Sequence, residues 1–188
     1  MRTFVAIDIP GEIRARIQQL ISVLRRTPCD VRWSRPEGLH ITLKFLGEIP
    51  PERLDAVKRA LESLPPSEPI AIAIAGSGFF PNGRAPRVLW LGIQAGPELA
   101  ALAASIERGL APLGIPQEDR PYAPHLTLGR LRAAHGLSAL QEVLKQQGEL
   151  AMGSFTAREF FLYESQPAQD GSIYKKLARF RIGSDAPA

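Results

Sequence analysis

Leu39-His40-Ile41-Thr42-Leu43 in the first half of the chain is matched in the second half by Pro124-His125-Leu126-Thr127-Leu128. Each copy follows an Arg-Pro pair, Arg35-Pro36 in the first half and Arg120-Pro121 in the second. The chain of 188 residues contains three histidines, and two of them lie in this shared His-x-Thr-Leu pattern. Such self-similarity indicates a duplicated unit that carries one motif in each half.

Both motifs have the alternation of polar and apolar residues that is typical of a strand. Residues i and i+2 of a strand share a face and lie about 6.6 Å apart. His40 and Thr42 are therefore predicted to point to one side. The opposite, core-facing side is predicted to carry Ile41, Leu43 and Phe45. If the two halves pack about a pseudo-two-fold axis, two imidazoles and two hydroxyls meet across one cleft.

The segments around the motifs predict an α+β fold. Strands are expected at residues 4–9, 39–46, 70–74, 87–93, 125–131, 155–163 and 173–182, with a short extended piece at 31–34. Apolar residues at helical spacing predict helices at 13–24, 54–64, 99–113 and 137–144. Residues 76–83, 114–124 and 165–172 are interpreted as loops, and the tail after Gly183 is expected to fray. Many connections have hairpin length, which favours antiparallel or mixed sheets.

Composition and charge exclude several classes of protein. Hydrophobic residues make up 45% of the chain and charged residues 22%, as in ordinary globular domains. The net charge of +4 permits attraction to phosphate without demonstrating it. The first strand is charged too early for a signal peptide, and no run of 18 apolar residues occurs, so a cytoplasmic protein without a membrane span is expected. No glycine-rich phosphate loop is present, which argues against a kinase or a dehydrogenase.

The paired side chains suit the opening of a cyclic phosphodiester. This reaction needs a base that takes a proton from water and an acid that protonates the departing sugar oxygen. His40 and His125 can supply both because an unperturbed imidazole titrates near pH 6.5. The residues themselves leave open which histidine is the acid. The hydroxyls of Thr42 and Thr127 can donate to the non-bridging phosphate oxygens, and neither a metal nor a cofactor is then required.

Two cationic side chains near the motifs are further candidates. Strict alternation puts Arg130 on the face opposite to His125, but a bulge at Gly129 would turn it inward, where it could clamp a phosphate. Lys44 has the parity to share the cleft face with His40. It is equally compatible with a solvated strand end.

Aromatic residues offer possible surfaces for a nucleobase. Phe4, Phe80 and Tyr122 are candidates for stacking, with packing in the core or between the lobes as the alternative for each. His135 lacks a threonine partner and is interpreted as a solvated loop residue.

The twin His-x-Thr motifs resemble those of the 2H phosphoesterase superfamily. The similarity is greatest to its bacterial and archaeal branch, the RNA 2′,3′-cyclic phosphodiesterases, which are also called 2′-5′ RNA ligases. It extends over residues 2–10, 31–33, 39–47, 120–130 and 162–174, and the four motif positions conform to the pattern. The resemblance implies a single bilobal domain over residues 1–188, with antiparallel sheets, helices packed on the outside and a central cleft.

The resemblance also implies an activity. A member of this family would hydrolyse a 2′,3′-cyclic phosphate at the end of an RNA to a 2′-phosphomonoester. By the same resemblance His40 would be the proton donor and His125 the proton acceptor. RNA ends that carry the cyclic phosphate are the expected partner, and a monomer is the default oligomeric state.

Other functions stay open on the sequence alone. Within the same chemistry, the alternatives are a 2′-5′ RNA ligase and a phosphodiesterase for small cyclic nucleotides. A non-catalytic RNA-binding module is a third, although it would tolerate the loss of one histidine and both are present. A metal hydrolase is disfavoured because zinc catalysis needs about three protein ligands, and two histidines with Cys29 show no ligand spacing. The sequence does not identify the physiological RNA.

Overall fold

Nine strands and four helices make up the fold. The computed structural model describes residues 1–82, 84–169 and 171–183. The strands are β1 (Arg2–Asp8), β2 (Val31–Trp33), β3 (His40–Glu48), β4 (Ile70–Phe80), β5 (Val88–Ala95), β6 (His125–Leu131), β7 (Gly153–Ala157), β8 (Glu159–Ala168) and β9 (Gly171–Arg181). The helices are α1 (Gly11–Leu24), α2 (Leu54–Glu62), α3 (Pro97–Leu110) and α4 (Leu137–Gln146). Short 3-10 turns lie at Pro36–Gly38, Pro51–Arg53 and Ala111–Leu113.

The strands form two antiparallel sheets. The first has the order β3-β1-β8-β9 and the second has the order β2-β6-β5-β4-β7. One motif strand therefore belongs to each sheet, β3 at an edge of the first and β6 between β2 and β5 in the second. The predicted α+β class with antiparallel sheets is confirmed.

The core joins both sheets and all four helices in one apolar cluster. Each helix places the apolar side of its 3.6-residue repeat against the sheets, which is why the helical spacing in the sequence was informative. One fully buried residue from each helix illustrates this packing: Ile17, Val57, Ile106 and Leu140.

A separate aromatic cluster lies on the other face of the first sheet. It consists of Phe4, Ala6, Phe161 and Tyr163, with Tyr174 packed against it. Because β1 alternates, Val5 and Ile7 face the main core while this cluster lines the wall next to β3.

Two of the predicted loops are strands. Strand β4 continues through residues 76–80 and pairs with β5 after a register shift between Ile74 and Ser77. Glycine is needed at position 78 because the ring of Trp90 lies 2.2 Å from where a Cβ would stand. Residues 165–168 and 171–172 extend the pairing of β8 and β9.

The predicted strand at residues 155–163 is two strands. β7 pairs with β4 in the second sheet, and β8 pairs with β1 in the first, so the chain changes sheets near Arg158. The two strands follow each other with only Arg158 between them, so no turn residue marks the break in the sequence. The predicted fraying of the tail after Gly183 concerns residues that lie outside the described ones.

None of the helices in the described part of the chain combines the length and the apolar character that crossing a membrane requires.

Candidate active site

A β-bulge interrupts the first motif strand. Val5 pairs with Lys44, but the next residue, Ala6, pairs with Thr42, so Leu43 is an extra residue without a partner on β1. A bulge of this kind shifts the alternation of the strand by one residue. Side chains that follow it face opposite to the side that strict alternation predicts.

The bulge reverses the positions predicted for two side chains. Phe45, predicted in the core, is 54% exposed and lines the cleft, whereas Lys44 is buried. The Nζ atom of Lys44 lies 2.6 Å from Oε2 of Glu107 and donates a hydrogen bond of 2.8 Å to the carbonyl of Pro116. Lys44 is thus neither a cleft residue nor a solvated strand end, and both interpretations of it were wrong. It ties β3 to α3 and to the loop before β6.

The second motif strand carries a bulge at the equivalent place. Leu89 of β5 pairs with Gly129, and the next residue of β5 pairs with Thr127, so Leu128 is the extra residue. The bulge turns Arg130 onto the same face as Thr127, where both line the cleft. Of the two arrangements that the sequence left open for Arg130, strict alternation and a bulge at Gly129, the structure has the bulge, with Leu128 as the extra residue beside the glycine.

Both motifs line one cleft between the two lobes, each of which is built on one of the two sheets. Its volume is about 440 Å³, within the range of small-molecule sites. The five residues that the sequence singled out as catalytic or phosphate-binding all line it: His40, Thr42, His125, Thr127 and Arg130. A second hollow on the outside of the second sheet is lined by side chains without an acid or a base, among them Ala71, Ala73, Gln94, Ser154 and Thr156.

The two histidines are held in the same way. Nδ1 of His40 donates to the carbonyl of Gly38 at 2.6 Å, and Nδ1 of His125 donates to the carbonyl of Ala123 at 2.9 Å. A carbonyl oxygen only accepts, so Nδ1 carries the proton in each neutral ring and Nε2 keeps its lone pair. In both lobes Nε2 is therefore the nitrogen left for proton transfer.

Aromatic rings surround His40. The imidazole centroid is 4.7 Å from the ring of Phe4, 5.1 Å from Tyr174 in an edge-to-face arrangement, and 6.2 Å from Tyr163. His125 has a sparser environment, with Phe80 edge-to-face at 5.3 Å. The same motif thus lies in two different surroundings.

This difference changes the electrostatics of His40. Burial lowers the pKa of His40 from its usual 6.5 to about 4 because water no longer solvates the cation. The Gly38 carbonyl and the Asp8 carboxylate act to raise that pKa, and His125 acts to lower it. In the unliganded cleft His40 is therefore neutral at physiological pH.

The backbone carbonyls of the two motif threonines are braced by hydroxyl groups, one from Tyr122 before β6 and one from Ser34, which follows β2 beside β6 in the second sheet. Tyr122 donates its phenol to the backbone carbonyl of Thr42 at 2.9 Å, and Ser34 donates its hydroxyl to the carbonyl of Thr127 at 2.8 Å. Each bracing residue precedes the other lobe's motif strand, so the bracing is reciprocal. Tyr122 thus packs between the lobes. Within the described residues neither threonine hydroxyl has a hydrogen-bond partner, which leaves both available to a ligand.

The rim of the cleft combines positive charge with exposed aromatic rings. Arg2, Arg32 and Arg35 line it, and the rings of Phe45 and Phe80 are 54% and 40% exposed. Guanidinium groups attract phosphates, and exposed rings offer faces on which bases stack.

Sequence reasoning missed some residues of the site. Asp8, Phe45 and Ser34 were not singled out, although Asp8 is visible as a charge that ends the apolar run of residues 4–7. His135 is exposed and lies away from the cleft, as predicted. In the described part of the chain no three or more His, Cys, Asp or Glu side chains are grouped so that they could hold a metal ion.

Comparison with known proteins identifies relatives over nearly the whole chain. Residues 9–168 match the model of the 2′-5′ RNA ligase superfamily. An RNA 2′,3′-cyclic phosphodiesterase of Methanothermobacter thermautotrophicus is 31% identical over 97% of this chain and 99% of that protein. One from Archaeoglobus fulgidus is 34% identical over 96% of this chain and 99% of that protein.

Solved structures show the same fold. TT0787 of Thermus thermophilus superimposes with a TM-score of 0.82 at 26% identity and covers 98% of this chain and 100% of its own. LigT of E. coli, solved in complex with 3′-AMP, gives a TM-score of 0.80 at 28% identity and covers 97% of this chain and 98% of its own. The bilobal arrangement is thus shared with proteins of known structure.

Proposed function

The chain belongs to the 2′-5′ RNA ligase superfamily, and from that premise we propose that it hydrolyses RNA ends bearing a 2′,3′-cyclic phosphate to 2′-phosphomonoesters. The observation that carries the proposal is the pair of imidazoles, His40 and His125, whose Nδ1 atoms are both fixed by backbone carbonyls and whose rings line one cleft. An acid and a base on either side of one phosphorus are what this reaction needs.

The cyclic phosphate is bound between the two motif strands. The hydroxyls of Thr42 and Thr127 donate to its non-bridging oxygens, and the guanidinium of Arg130 neutralises their charge. All three side chains line the cleft. Alternation along each strand directs the two threonines there, and the bulge in β6 directs Arg130 there. Preorganised donors stabilise the extra negative charge that develops on the phosphoryl oxygens in the transition state.

Hydrolysis then needs two proton transfers. His125 Nε2 removes a proton from water while the water oxygen forms a bond to phosphorus. The bond from phosphorus to the 3′ oxygen breaks, and His40 Nε2 gives its proton to that oxygen. The products are a 2′-phosphomonoester and a free 3′-hydroxyl, and solvent exchange returns both histidines to their starting states. The assignment of donor and acceptor follows the family resemblance.

Substrate binding is what makes His40 an acid. In the unliganded cleft its pKa is about 4, so the ring carries no proton to donate at neutral pH. An anionic phosphate within hydrogen-bond distance of Nε2 favours the imidazolium and raises the pKa. Binding of the substrate therefore favours protonation of His40, and this proton is then transferred to the leaving 3′ oxygen.

RNA is a better candidate substrate than a small cyclic nucleotide because of the cleft's rim. Arg2 and Arg32 extend positive charge beyond the phosphate site, and Phe45 and Phe80 expose rings on opposite lobes. A single-stranded end can follow such a surface with its phosphates on the arginines and its bases on the rings. A single cyclic nucleotide would contact only a small part of this surface.

Ligation is the same chemistry with another nucleophile. If the 5′-hydroxyl of a second RNA replaces water, attack on phosphorus with loss of the 3′ oxygen gives a 2′-5′ linkage. The same two histidines serve that reaction, because a base again takes the proton of the nucleophile and an acid again protonates the 3′ oxygen. We further propose that the reaction needs no metal ion, since the donors named above suffice to bind the phosphate. We also propose that the protein acts as a monomer in the cytoplasm.

The test is the product that wild-type protein forms from a short RNA ending in a 2′,3′-cyclic phosphate, assayed in chelator beside adenosine 2′,3′-cyclic phosphate. We expect a 2′-phosphate as product, no effect of chelator, and a higher kcat/KM for the RNA than for the mononucleotide. A 3′-phosphate product would refute the assigned direction of cleavage. Inactivity on both compounds would favour a binding module instead.

A further inference from the structure

Asp8 lies directly across the strand ladder from His40. It is the last residue of β1, and it pairs with the first residue of β3. Residues opposite each other in an antiparallel pair have Cβ atoms about 5 Å apart on the same face. Asp8 therefore continues the face of Phe4 and Ala6, next to the imidazole.

The Asp8 carboxylate is held in a fixed position. Its Oδ1 atom accepts a hydrogen bond from the backbone N–H of Ile9 at 2.8 Å and from Arg14 at 2.7 Å, and its Oδ2 atom accepts one from Lys176 at 2.5 Å. Burial acts to raise the pKa of Asp8, but Lys176, the Ile9 N–H and Arg14 together hold it below its usual value. Asp8 therefore carries a negative charge over the whole range in which a histidine titrates.

At the equivalent position of the second lobe, the described chain has no carboxylate. The residue paired with His125 in the ladder of β5 and β6 is Gly92. A Cβ at Gly92 would lie 2.4 Å from the backbone oxygen of Ala75, so no other side chain fits there without a shift of the backbone. The two catalytic histidines, alike in motif and in Nδ1 partner, thus differ in the charge behind them.

Other ionisable groups also lie around His40. Tyr163 of β8 and Tyr174 of β9 present phenol rings, His125 faces it from the other lobe, and Arg35 lines the same cleft. Lys176 of β9 and Arg14 of α1 reach the site through Asp8, whose charge they partly offset.

We propose that Asp8 is a positioning residue that stabilises the imidazolium of His40, and that it thereby makes His40 rather than His125 the proton donor. Burial favours the neutral form of His40. The carboxylate offsets part of that penalty, and the phosphate of the substrate offsets the rest. Lys176 offsets part of the negative charge of Asp8. Asp8 therefore stabilises the imidazolium of His40, and Lys176 weakens that stabilisation. The inference rests on the proposed function, since it assigns a proton donor to that reaction.

Four variants test this inference: Asp8→Asn, Asp8→Glu, Lys176→Met and Lys175→Met. Lys175 is the neighbour of Lys176 on β9 and faces the opposite side, so it matches the loss of charge without the contact to Asp8. The measurements are the pKa of His40 by NMR, assigned with His40→Gln, and kcat/KM across pH on a dinucleotide with a cyclic phosphate.

Asp8→Asn is expected to lower the pKa of His40, and Lys176→Met to raise it. Above that pKa, kcat/KM should fall about three- to tenfold in Asp8→Asn and rise about twofold in Lys176→Met, because the protonated fraction changes by these factors. Because the protonated fraction above the pKa changes by the same factor at each pH, the fold-change in kcat/KM should match the shift of the His40 pKa measured by NMR. Asp8→Glu keeps the carboxylate and should recover part of the pKa shift lost in Asp8→Asn, and Lys175→Met should behave like wild type.

Two outcomes would overturn the inference. One is a His40 titration in Asp8→Asn that coincides with wild type, whether or not the protein is active. The other is a change in kcat/KM that does not match the shift of the His40 pKa, which a merely structural role would produce. If wild type does not cleave cyclic phosphates at all, the proposed function fails separately, and the NMR titration still decides whether Asp8 acts on His40.

Discussion

Phe45 and Arg130 occupy equivalent positions in the two lobes, since each lies five residues after its motif histidine and follows a bulge at the fourth residue of its strand. The duplicated backbone therefore presents different chemistry to the two sides of the cleft. Arg130 supplies a positive charge that suits a phosphate, and Phe45 supplies an exposed ring that suits a base. The backbone is thus pseudo-symmetric, but its two halves are expected to contact different parts of the ligand.

The role of Arg130 is tested by Arg130→Gln. Losing the guanidinium removes charge stabilisation that is strongest in the transition state, so we expect kcat/KM on the cyclic phosphate to fall about a hundred-fold. Arg132→Gln is the matched control, because Arg132 lies just beyond the same strand, is 64% exposed and pairs only distantly, at 3.8 Å, with Asp30. Equal losses in the two variants would mean that general charge, not the position of Arg130, matters.

The buried pair of Lys44 and Glu107 is expected to stabilise the fold rather than to catalyse. Glu107→Gln leaves the buried ammonium without its counter-charge and should lower the free energy of unfolding by about 3 kcal/mol. Glu98→Gln, on the exposed start of the same helix, should change it by less than about 0.5 kcal/mol. Urea denaturation measures both. If the two variants were equally stable, the ion pair would not hold β3 to α3.

Burial of His40 makes the stability of the unliganded protein depend on pH. The folded state binds a proton at His40 near pH 4, and the unfolded chain binds it near pH 6.5. Between these values the unfolded state holds more protons, so the free energy of unfolding falls as the pH is lowered through this window. Relative to His40→Gln, wild type should lose at most about 3 kcal/mol from pH 6.5 to pH 4. Parallel stability curves in urea would contradict the lowered pKa.

A sulfur substitution distinguishes the acid from the base. A thiolate leaves without the help of a proton, so a cyclic phosphate with sulfur in place of the 3′ oxygen has no need of a general acid. His40→Ala should cleave this analogue at a rate within about tenfold of wild type, while His125→Ala stays about a hundred-fold or more impaired. The reverse pattern of rescue would exchange the two roles.

Much of the site was predictable because it depends on short-range alternation. His40 and Thr42 share a face that their spacing dictates, and the second motif repeats it. Beyond the fourth residue of each motif strand, alternation fails. Gly129 gave a signal for its bulge, whereas Lys44 occupies the equivalent position in the first lobe and gives none.

Long-range contacts account for the rest of what the sequence did not predict. Lys44 is buried because Glu107, which follows 63 residues later, meets it in the folded chain. Residues 76–80 form a strand because β5 pairs with them and the ring of Trp90 fills the space above Gly78. From the sequence Asp8 is only the end of a strand, and its position beside His40 follows from the pairing of β1 with β3. Local patterns contain none of these partners.

The most direct test of the two-histidine mechanism is single-turnover hydrolysis of an RNA with a 2′,3′-cyclic phosphate, in chelator, by wild type, His40→Ala and His125→Ala. Thermal unfolding at neutral pH checks that all three are folded. The mechanism predicts a 2′-phosphate from wild type and a loss of at least about a hundred-fold in each variant, the size of an acid–base contribution. Full activity in either variant, with the fold intact, would contradict it.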